Sequence, residues 1–336
     1  MVSWFFLTYR RSVHRMAQPT IYFLGPQGTH SDIALRTFCK RVGWENAILR
    51  PLDSIAEIIH TVLHAEDRSV HGCLPLENSI QGSVTYAWDG LIEMVIAQEK
   101  LADEIEDTNA ETDYPRLVAA WTLPIHHHVL SSPGSDWTLA EKVYSHPQVL
   151  AQCRHFIQRE LPKAECIPVS SSAQAARMVS EHSLQPQIAL GNEIAAELYG
   201  LHIAKRAVED ASGNQTRFGL LSKNKAESLF AEAFRPEERT ISLCLIGVHN
   251  EPGGLWSALT PFHYFGLNLS RIESRPAGRI LGEYHFYMDV DFPLGESTEQ
   301  VQENWRIVCS MLASRGIQLK ILGEYLQFGL LENHST

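Results

Sequence analysis

The sequence predicts an α/β protein in which a two-lobed, mainly parallel-sheet region precedes a smaller βαββαβ unit. Three observations carry this. From Thr20 to about Ser222 short apolar runs alternate with stretches of helical period, the pattern of strands joined by crossover helices. Small or polar residues stand where these runs give way to helices. Around Lys223 to Arg239 the chain turns charged and non-periodic, and a unit of different pattern follows.

Ile21-Tyr22-Phe23-Leu24 reads as a buried strand, and Gly25-Pro26-Gln27-Gly28-Thr29 leads from it into a helix through about Lys40. Ile55, Ile58, Ile59, Val62 and Leu63 occupy one face of a second helix. Cys73-Leu74-Pro75-Leu76 precedes Glu77-Asn78-Ser79, and Lys142-Val143-Tyr144 precedes Ser145-His146-Pro147. Pro147 suits a first helical turn, with Val149, Cys153, Phe156 and Ile157 on one face beyond it. Ile167-Pro168-Val169 leads to Ser170-Ser171-Ser172, and Ile188-Ala189-Leu190 to Gly191-Asn192, whose helix stops at Gly200. The acidic stretch from Ala102 to Asp113 reads as a loop. The expected plan is an extension over 1–19, a first lobe over 20–122 and 201–222, and a second lobe over 123–200. A linker over 223–239, the small unit over 240–326 and a tail over 327–336 complete it. Within the unit, strands at Ile241–Val248, Leu267–Ile272, Tyr284–Asp289 and Gln318–Tyr325 alternate with helices at Leu255–Phe265 and Val301–Leu312. This order is ferredoxin-like.

A net charge of -11 speaks against nucleic acid or an anionic membrane as partner. An anionic ligand would have to be caught locally. The six cysteines are scattered without a C-x-x-C pair and read as reduced, mostly buried thiols. No apolar run is long enough to span a bilayer. Trp4 to Leu7 precedes Arg10, Arg11 and Arg15, the reverse of an export signal. The expectation is a cytoplasmic enzyme whose first residues are disordered.

Five junctions carry polar residues: Gly25 to Ser31, Glu77 to Ser79, Ser145-His146, Ser170 to Ser172 and Gly191-Asn192. In parallel sheets ligands lie beyond the carboxyl ends of the strands, where helix N-termini offer free N–H groups. Singly these are ordinary N-caps; together they outline a small anion-binding cleft. Gly25 to Thr29 has neither nucleotide-loop spacing. His126-His127-His128 sends alternate side chains to opposite faces, a poor metal site. No G-x-S-x-G elbow is present. Neither metal nor cofactor is expected.

Asn214-Gln215-Thr216-Arg217-Phe218 is harder to call structural, because an Arg inside an apolar strand is costly unless it meets an anion. Here the chain resembles the prephenate dehydratase family. Gly25-Pro-Gln-Gly-Thr29, Pro75-Leu-Glu-Asn-Ser79, Ser145-His-Pro-Gln148 with Gln152-Cys153, and Glu209-Asp210 before Asn214 to Phe218 resemble its successive motifs. Glu251-Pro-Gly-Gly-Leu255 and Glu273-Ser-Arg-Pro276 resemble its regulatory ACT domain.

The resemblance implies a periplasmic-binding-protein-like catalytic region, a C-terminal ACT domain, and cofactor-free loss of CO2 and water from prephenate to give phenylpyruvate. It implies that Thr216 donates to the leaving oxygen, Arg217 helps to fix the substrate, and Glu77 orients the pocket residues Asn78, Ser79, Ser145 and Gln152. Thr29, Ser145, Gln152, Asn214 and Phe218 join the substrate pocket. Pro252, Gly253, Gly254, Leu255, Asn268, Glu273 and Ser274 form the effector site for L-phenylalanine, in a homodimer or homotetramer. His30, Gly254, Trp256 and Gly282 depart from the family's usual residues. The rivals are a decarboxylase that keeps the hydroxyl, use of the aminated substrate arogenate, and a non-catalytic binding protein of the same fold.

Overall fold

The computed structural model describes residues 18–104, 113–183, 185–230, 239–278, 282–292 and 298–330. The first lobe opens with β1 (Thr20–Leu24), α1 (His30–Arg41), β2 (Ile48–Leu52), α2 (Ile55–His64) and β3 (Val70–Asn78). It continues with β4 (Gly82–Ser83), α3 (Thr85–Glu104) and β5 (Arg116–Pro124). The apolar face foreseen for α2 is buried through Ile55, Ile58, Ile59 and Val62, and Ser54 caps the helix by accepting the Glu57 N–H. β1 pairs in parallel with β2 and β3, as crossover helices require.

The second lobe holds β6 (His128–Ser131), β7 (Lys142–Ser145), α4 (Pro147–Gln152), α5 (Arg154–Glu160) and β8 (Glu165–Pro168). α6 (Ser172–Glu181), β9 (Gln187–Gly191), α7 (Glu193–Leu198) and β10 (His202–Lys205) follow. Its sheet runs β10-β6-β9-β7-β8, parallel at β8-β7-β9 and antiparallel at β9-β6-β10. The helix expected from Pro147 breaks at Cys153 into two. The boundary also moves: β10 stays with the second lobe, because its backbone completes the edge beside β6. The chain re-enters the first lobe only with β11 (Gln215–Ser222), which lies antiparallel between β3 and β5.

After α8 (Ala226–Leu229) come β12 (Arg239–Ile246), α9 (Gly254–Tyr264), β13 (Asn268–Pro276), β14 (Tyr284–Asp291), α10 (Thr298–Ala313) and β15 (Gln318–Leu330). The strand order β13-β14-β12-β15 is ferredoxin-like. β15 also pairs in parallel with β5, so the terminal unit and first lobe share one ten-stranded sheet. The linker expected over 223–239 is therefore not the only tie between them. Residues 327–330 belong to β15 rather than to a tail. The approach depends on Gly323, where a Cβ would stand 2.4 Å from the Leu117 Cβ.

Leu322, Tyr325, Tyr287 and Cys244 of the terminal unit share a core with Leu117, Trp88, Leu91 and Val95 of the first lobe. The unit keeps a second core of its own around Phe262, Met288 and Val308. The second lobe's cores, around Phe156 and around Ala176, are local to it. Residues 1–17 of the expected extension, 105–112 of the expected loop, 231–238 of the expected linker and 331–336 of the expected tail lie outside the described residues. No helix among those described is long and apolar enough to cross a membrane.

Candidate active site

At the end of the β3–β11 ladder, Asn78 stands opposite Thr216 and Glu77 opposite Arg217. One step back, Phe218 faces Pro75, so Leu76 is an extra residue on β3. Such a bulge re-aims side chains, because side chains alternate with period two. Leu74 and Leu76 both face the core shared with the terminal unit. Unbroken alternation would send Asn78 to that face as well. The bulge turns Glu77 toward it instead and brings Asn78 round to Thr216.

Asn78 is buried and spends both ends of its amide. Its Oδ1 accepts the N–H groups of Ile80 and Gln81, each at 3.1 Å, fixing the turn after β3. Its Nδ2 lies 2.9 Å from Thr216 Oγ1, 2.8 Å from Asn214 Oδ1 and 3.1 Å from the Gln215 carbonyl. A hydroxyl carries one proton and two lone pairs. Asn78 donates to a lone pair of Thr216, and no acceptor for the Thr216 proton stands among the described residues. That proton is therefore directed away from Asn78.

Ser79 closes the same corner: its Oγ donates to the Gly213 carbonyl at 3.3 Å and accepts the Gln215 N–H at 2.9 Å. Leu123, the β5 partner of Thr216, lines a cavity between the lobes with His30, His126, Asn192 and Arg206. Thr29 precedes α1 and its hydroxyl donates to the Leu24 carbonyl at 3.3 Å. Across the cleft, Ser145 is fully buried and donates to the Leu190 carbonyl at 2.7 Å. Gln152 Oε1 lies 2.7 Å from His127 Nε2, while Gln152 Nε2 is buried without a partner.

His30 and His127 meet edge to face, with ring centroids 5.5 Å apart. His30 Nε2 and His127 Nδ1 are likewise buried without partners among the described residues. Burial first, then the neighbouring histidines, pushes His30 down to about 3. Burial also lowers His127, against the pull of Gln152 and Glu209. Both rings are neutral at neutral pH. The three histidines in a row go separate ways: His126 pairs with Glu209 at 2.7 Å, His127 with Gln152, and His128 Nδ1 accepts the Ala207 N–H at 3.0 Å. No metal-binding group of three or more His, Cys, Asp or Glu stands among the described residues.

Asn192, one of the five polar junctions, caps α7 and also joins the lobes. Its Oδ1 accepts the Ala195 N–H and its Nδ2 donates to the Gly28 carbonyl, both at 2.8 Å. Glu209 accepts the His127 N–H at 2.9 Å, and Asp210 accepts those of His155 and Phe156 at the start of α5. The adjacent acids at the return crossing were the sequence signal for these two. His30 and His127 gave none, since neutral buried histidines are common in cores.

Three expected site residues stand elsewhere. Phe218 is buried in the first-lobe core, stacked on Trp121 at 6.2 Å. Arg217 and Glu77 lie on the face opposite Thr216, paired with each other at 3.2 Å. The anion that answers the buried Arg217 is Asp289 of β14, at 2.8 Å. Period-two alternation separates Arg217 from Thr216, and the bulge takes Glu77 with it.

In the terminal unit, Gly253 precedes α9 with φ +85, and a Cβ on Gly254 would stand 2.1 Å from the His249 carbonyl oxygen. Both glycines are required by the turn itself. Pro252 and Leu255 beside them are exposed. Glu273 lies on edge strand β13 between Arg271 at 3.2 Å and Arg275 at 3.9 Å, with Ser274 exposed beside it. Asn268 donates to Asp291 at 3.2 Å. Gly282 has φ +98, a conformation that side chains rarely adopt.

The fold and site define a two-lobed α/β protein whose cleft offers amides and neutral imidazoles, and whose strand β11 is backed by a ferredoxin-like unit. The prephenate dehydratase family matches residues 21–226. Prephenate dehydratase of Bacillus subtilis is 31% identical over 316 residues, covering 92% of this chain and 99% of its own. Prephenate dehydratase of Arthrobacter aurescens, solved in complex with L-Phe, superposes with a TM-score of 0.70 at 25% identity, over 94% of each chain. A structure described as GqqA, a quorum quenching acylase, superposes with a TM-score of 0.69 at 26% identity, over 92% of this chain and 98% of its own. The chain belongs to the prephenate dehydratase family, which makes it a lyase.

Proposed function

We propose that the chain converts prephenate to phenylpyruvate with loss of CO2 and water, and that phenylalanine controls it through the terminal unit. Thr216 carries the reading: its hydroxyl accepts from Asn78 and keeps its own proton for the cleft. Aromatisation supplies the driving force, so the protein needs no covalent intermediate. Each turnover takes up one proton, because the dianion leaves as a monoanion, CO2 and water. Thr216 polarises the departing hydroxyl rather than serving as a net acid. Residues of both lobes, with Asn78, Ser79 and Asn214 on one side and Ser145 and Gln152 on the other, hold the substrate and exclude water.

Gln152 Nε2, and His30 Nε2 in the tautomer that places the proton there, supply donors for a carboxylate, while His127 Nδ1, left as the acceptor nitrogen by the His127–Gln152 contact, suits a hydroxyl. This meets the charge problem locally, with neutral groups in an acidic chain. On the same reading, the Gly253 turn receives an amino-acid carboxylate and Glu273 its ammonium group. The active form is a homodimer or homotetramer acting in the cytoplasm, with ACT units pairing across subunits. The acylase of the same fold suggests amide hydrolysis as a second reading. It is disfavoured because Ser145 and Ser79 both donate to backbone carbonyls instead of standing beside a base.

The test is to incubate the purified chain with prephenate and follow phenylpyruvate absorbance, with and without phenylalanine. Turnover slowed by phenylalanine is expected. No phenylpyruvate would end the dehydratase reading, and turnover indifferent to phenylalanine would end the control.

A further inference from the structure

Behind Thr216, on the face away from the cleft, lies a buried charge cluster that neither substrate nor effector touches in this reading. Asp289 is fully buried at its centre. Arg217 of β11 reaches it at 2.8 Å, Arg271 of β13 at 3.0 Å, and Ser242 donates to it at 2.5 Å. Tyr325 lies 2.8 Å from Ser242. Arg271 also lies over the Trp88 ring at 3.9 Å and pairs with Glu273 at 3.2 Å. One carboxylate is thus shared by a cation next in sequence to Thr216 and a cation two residues from Glu273.

Burial alone would push the Asp289 carboxyl up, but the two guanidinium groups and Ser242 more than offset it and hold it below the usual range. The cluster is charged, and a charge buried this completely is strongly destabilising if its partner is lost. The Arg217 end is also imperfectly seated. Its Nε and Nη2 lie buried without a hydrogen bond of proper angle, although Asp289 and Glu77 are at ion-pair distance. A guanidinium held by charge between two carboxylates, rather than locked by a bidentate fork, can re-seat as their hold on it changes.

We propose that Asp289 is a positioning residue for the dehydration: it holds Arg217, and through that strand Thr216, and it passes the state of the Glu273 strand to the cleft. The inference rests on the functional reading above. An ammonium group drawn to Glu273 takes that carboxylate from Arg271. Arg271 then draws harder on Asp289, and the hold on Arg217 weakens. Strand β11 carries the change one residue to Thr216 and across to Asn78. This is a contiguous set of contacts with two arrangements, the physical requirement for coupling.

Two substitutions in the full chain test it. Asp289→Asn keeps the shape and a partner for Ser242 but removes the shared charge. It should lower kcat roughly 2- to 30-fold, leave KM for prephenate little changed, and abolish inhibition by phenylalanine while calorimetry still records phenylalanine binding. A folded Asp289→Asn protein with wild-type kcat and wild-type inhibition overturns the proposal. Arg271→Gln leaves the Arg217–Asp289 pair in place and removes the cation that Asp289 shares with Glu273. It should keep basal kcat and lose inhibition, and wild-type inhibition in this variant overturns the coupling even if Asp289→Asn does not fold. Failure of the functional reading looks different, because the unsubstituted chain would then show no turnover or bind no phenylalanine.

Discussion

The first lobe has two seams, and they are built on opposite principles. Toward the second lobe the seam is thin and polar: the Asn192–Gly28 hydrogen bond and the His30–His127 contact, with Ile194 as an apolar contribution. Toward the terminal unit it is a continuous sheet with a shared core around Trp88, Tyr287 and Tyr325 and the buried Asp289 cluster. A polar seam crossed by the chain at two places can open and close around a ligand at small cost. A shared sheet cannot hinge freely, but it transmits displacement between its strands. On the function proposed above, substrate access belongs to the first seam and control to the second.

The largest effect should come from the residue both seams serve. Thr216→Ala removes the hydroxyl that the proposed mechanism uses on the leaving oxygen and should cost about 10²- to 10⁴-fold in kcat, with KM changed less. Steady-state kinetics decide it, and near-normal kcat would mean that neither seam acts through Thr216.

Gly323 tests the second seam. A Cβ there would meet Leu117 Cβ at 2.4 Å and the Leu117 carbonyl oxygen at 2.6 Å, atoms that cannot swing aside. Gly323→Val should force β15 from β5 and cost about 3 kcal/mol, read as a lower urea midpoint. Phenylalanine response should suffer more than basal turnover. An unchanged midpoint would show that the shared sheet contributes little.

The elements of both lobes and the βαββαβ order were legible because strand and helix periods differ and because Gly, Pro and Ser mark the junctions. Asn78, Ser79, Asn214 and Thr216 were legible as a group, and the structure brings them together. What was hidden depends on facing. Which side of β11 Arg217 takes follows from pairing with β3, and a single extra residue at Leu76 decides it. Arg217 announced a need for an anion, but Asp289 stands 72 positions later (289 − 217) in a strand whose sequence only alternates. Gly323 looked like any strand glycine until its neighbour was known. Long-range pairing and register are not local properties of a sequence.

The smallest effect concerns acid and separates the seams by their chemistry. At the polar seam, His30 is held down to about 3 and His127 below its ordinary value, in both cases mainly by burial. The unfolded chain protonates these rings near pH 6.5, while the folded chain resists. Below that pH the unfolded state binds more protons, so stability falls as pH falls, and for His30 the loss continues until about 3. Glu209 pulls His127 the other way, but burial outweighs it. At the second seam Asp289 also has a lowered pKa, and its contribution is present above the ordinary carboxylate range and lost only as pH falls below it. Lowering pH from 7 to 5.5 should therefore weaken the lobe–lobe seam first, by about 1 kcal/mol through His30 and in the same direction through His127. Urea midpoints across this range would measure the total, and His30→Phe should remove its share of the slope. A slope unchanged in that variant would show that the seam is not where the protons enter.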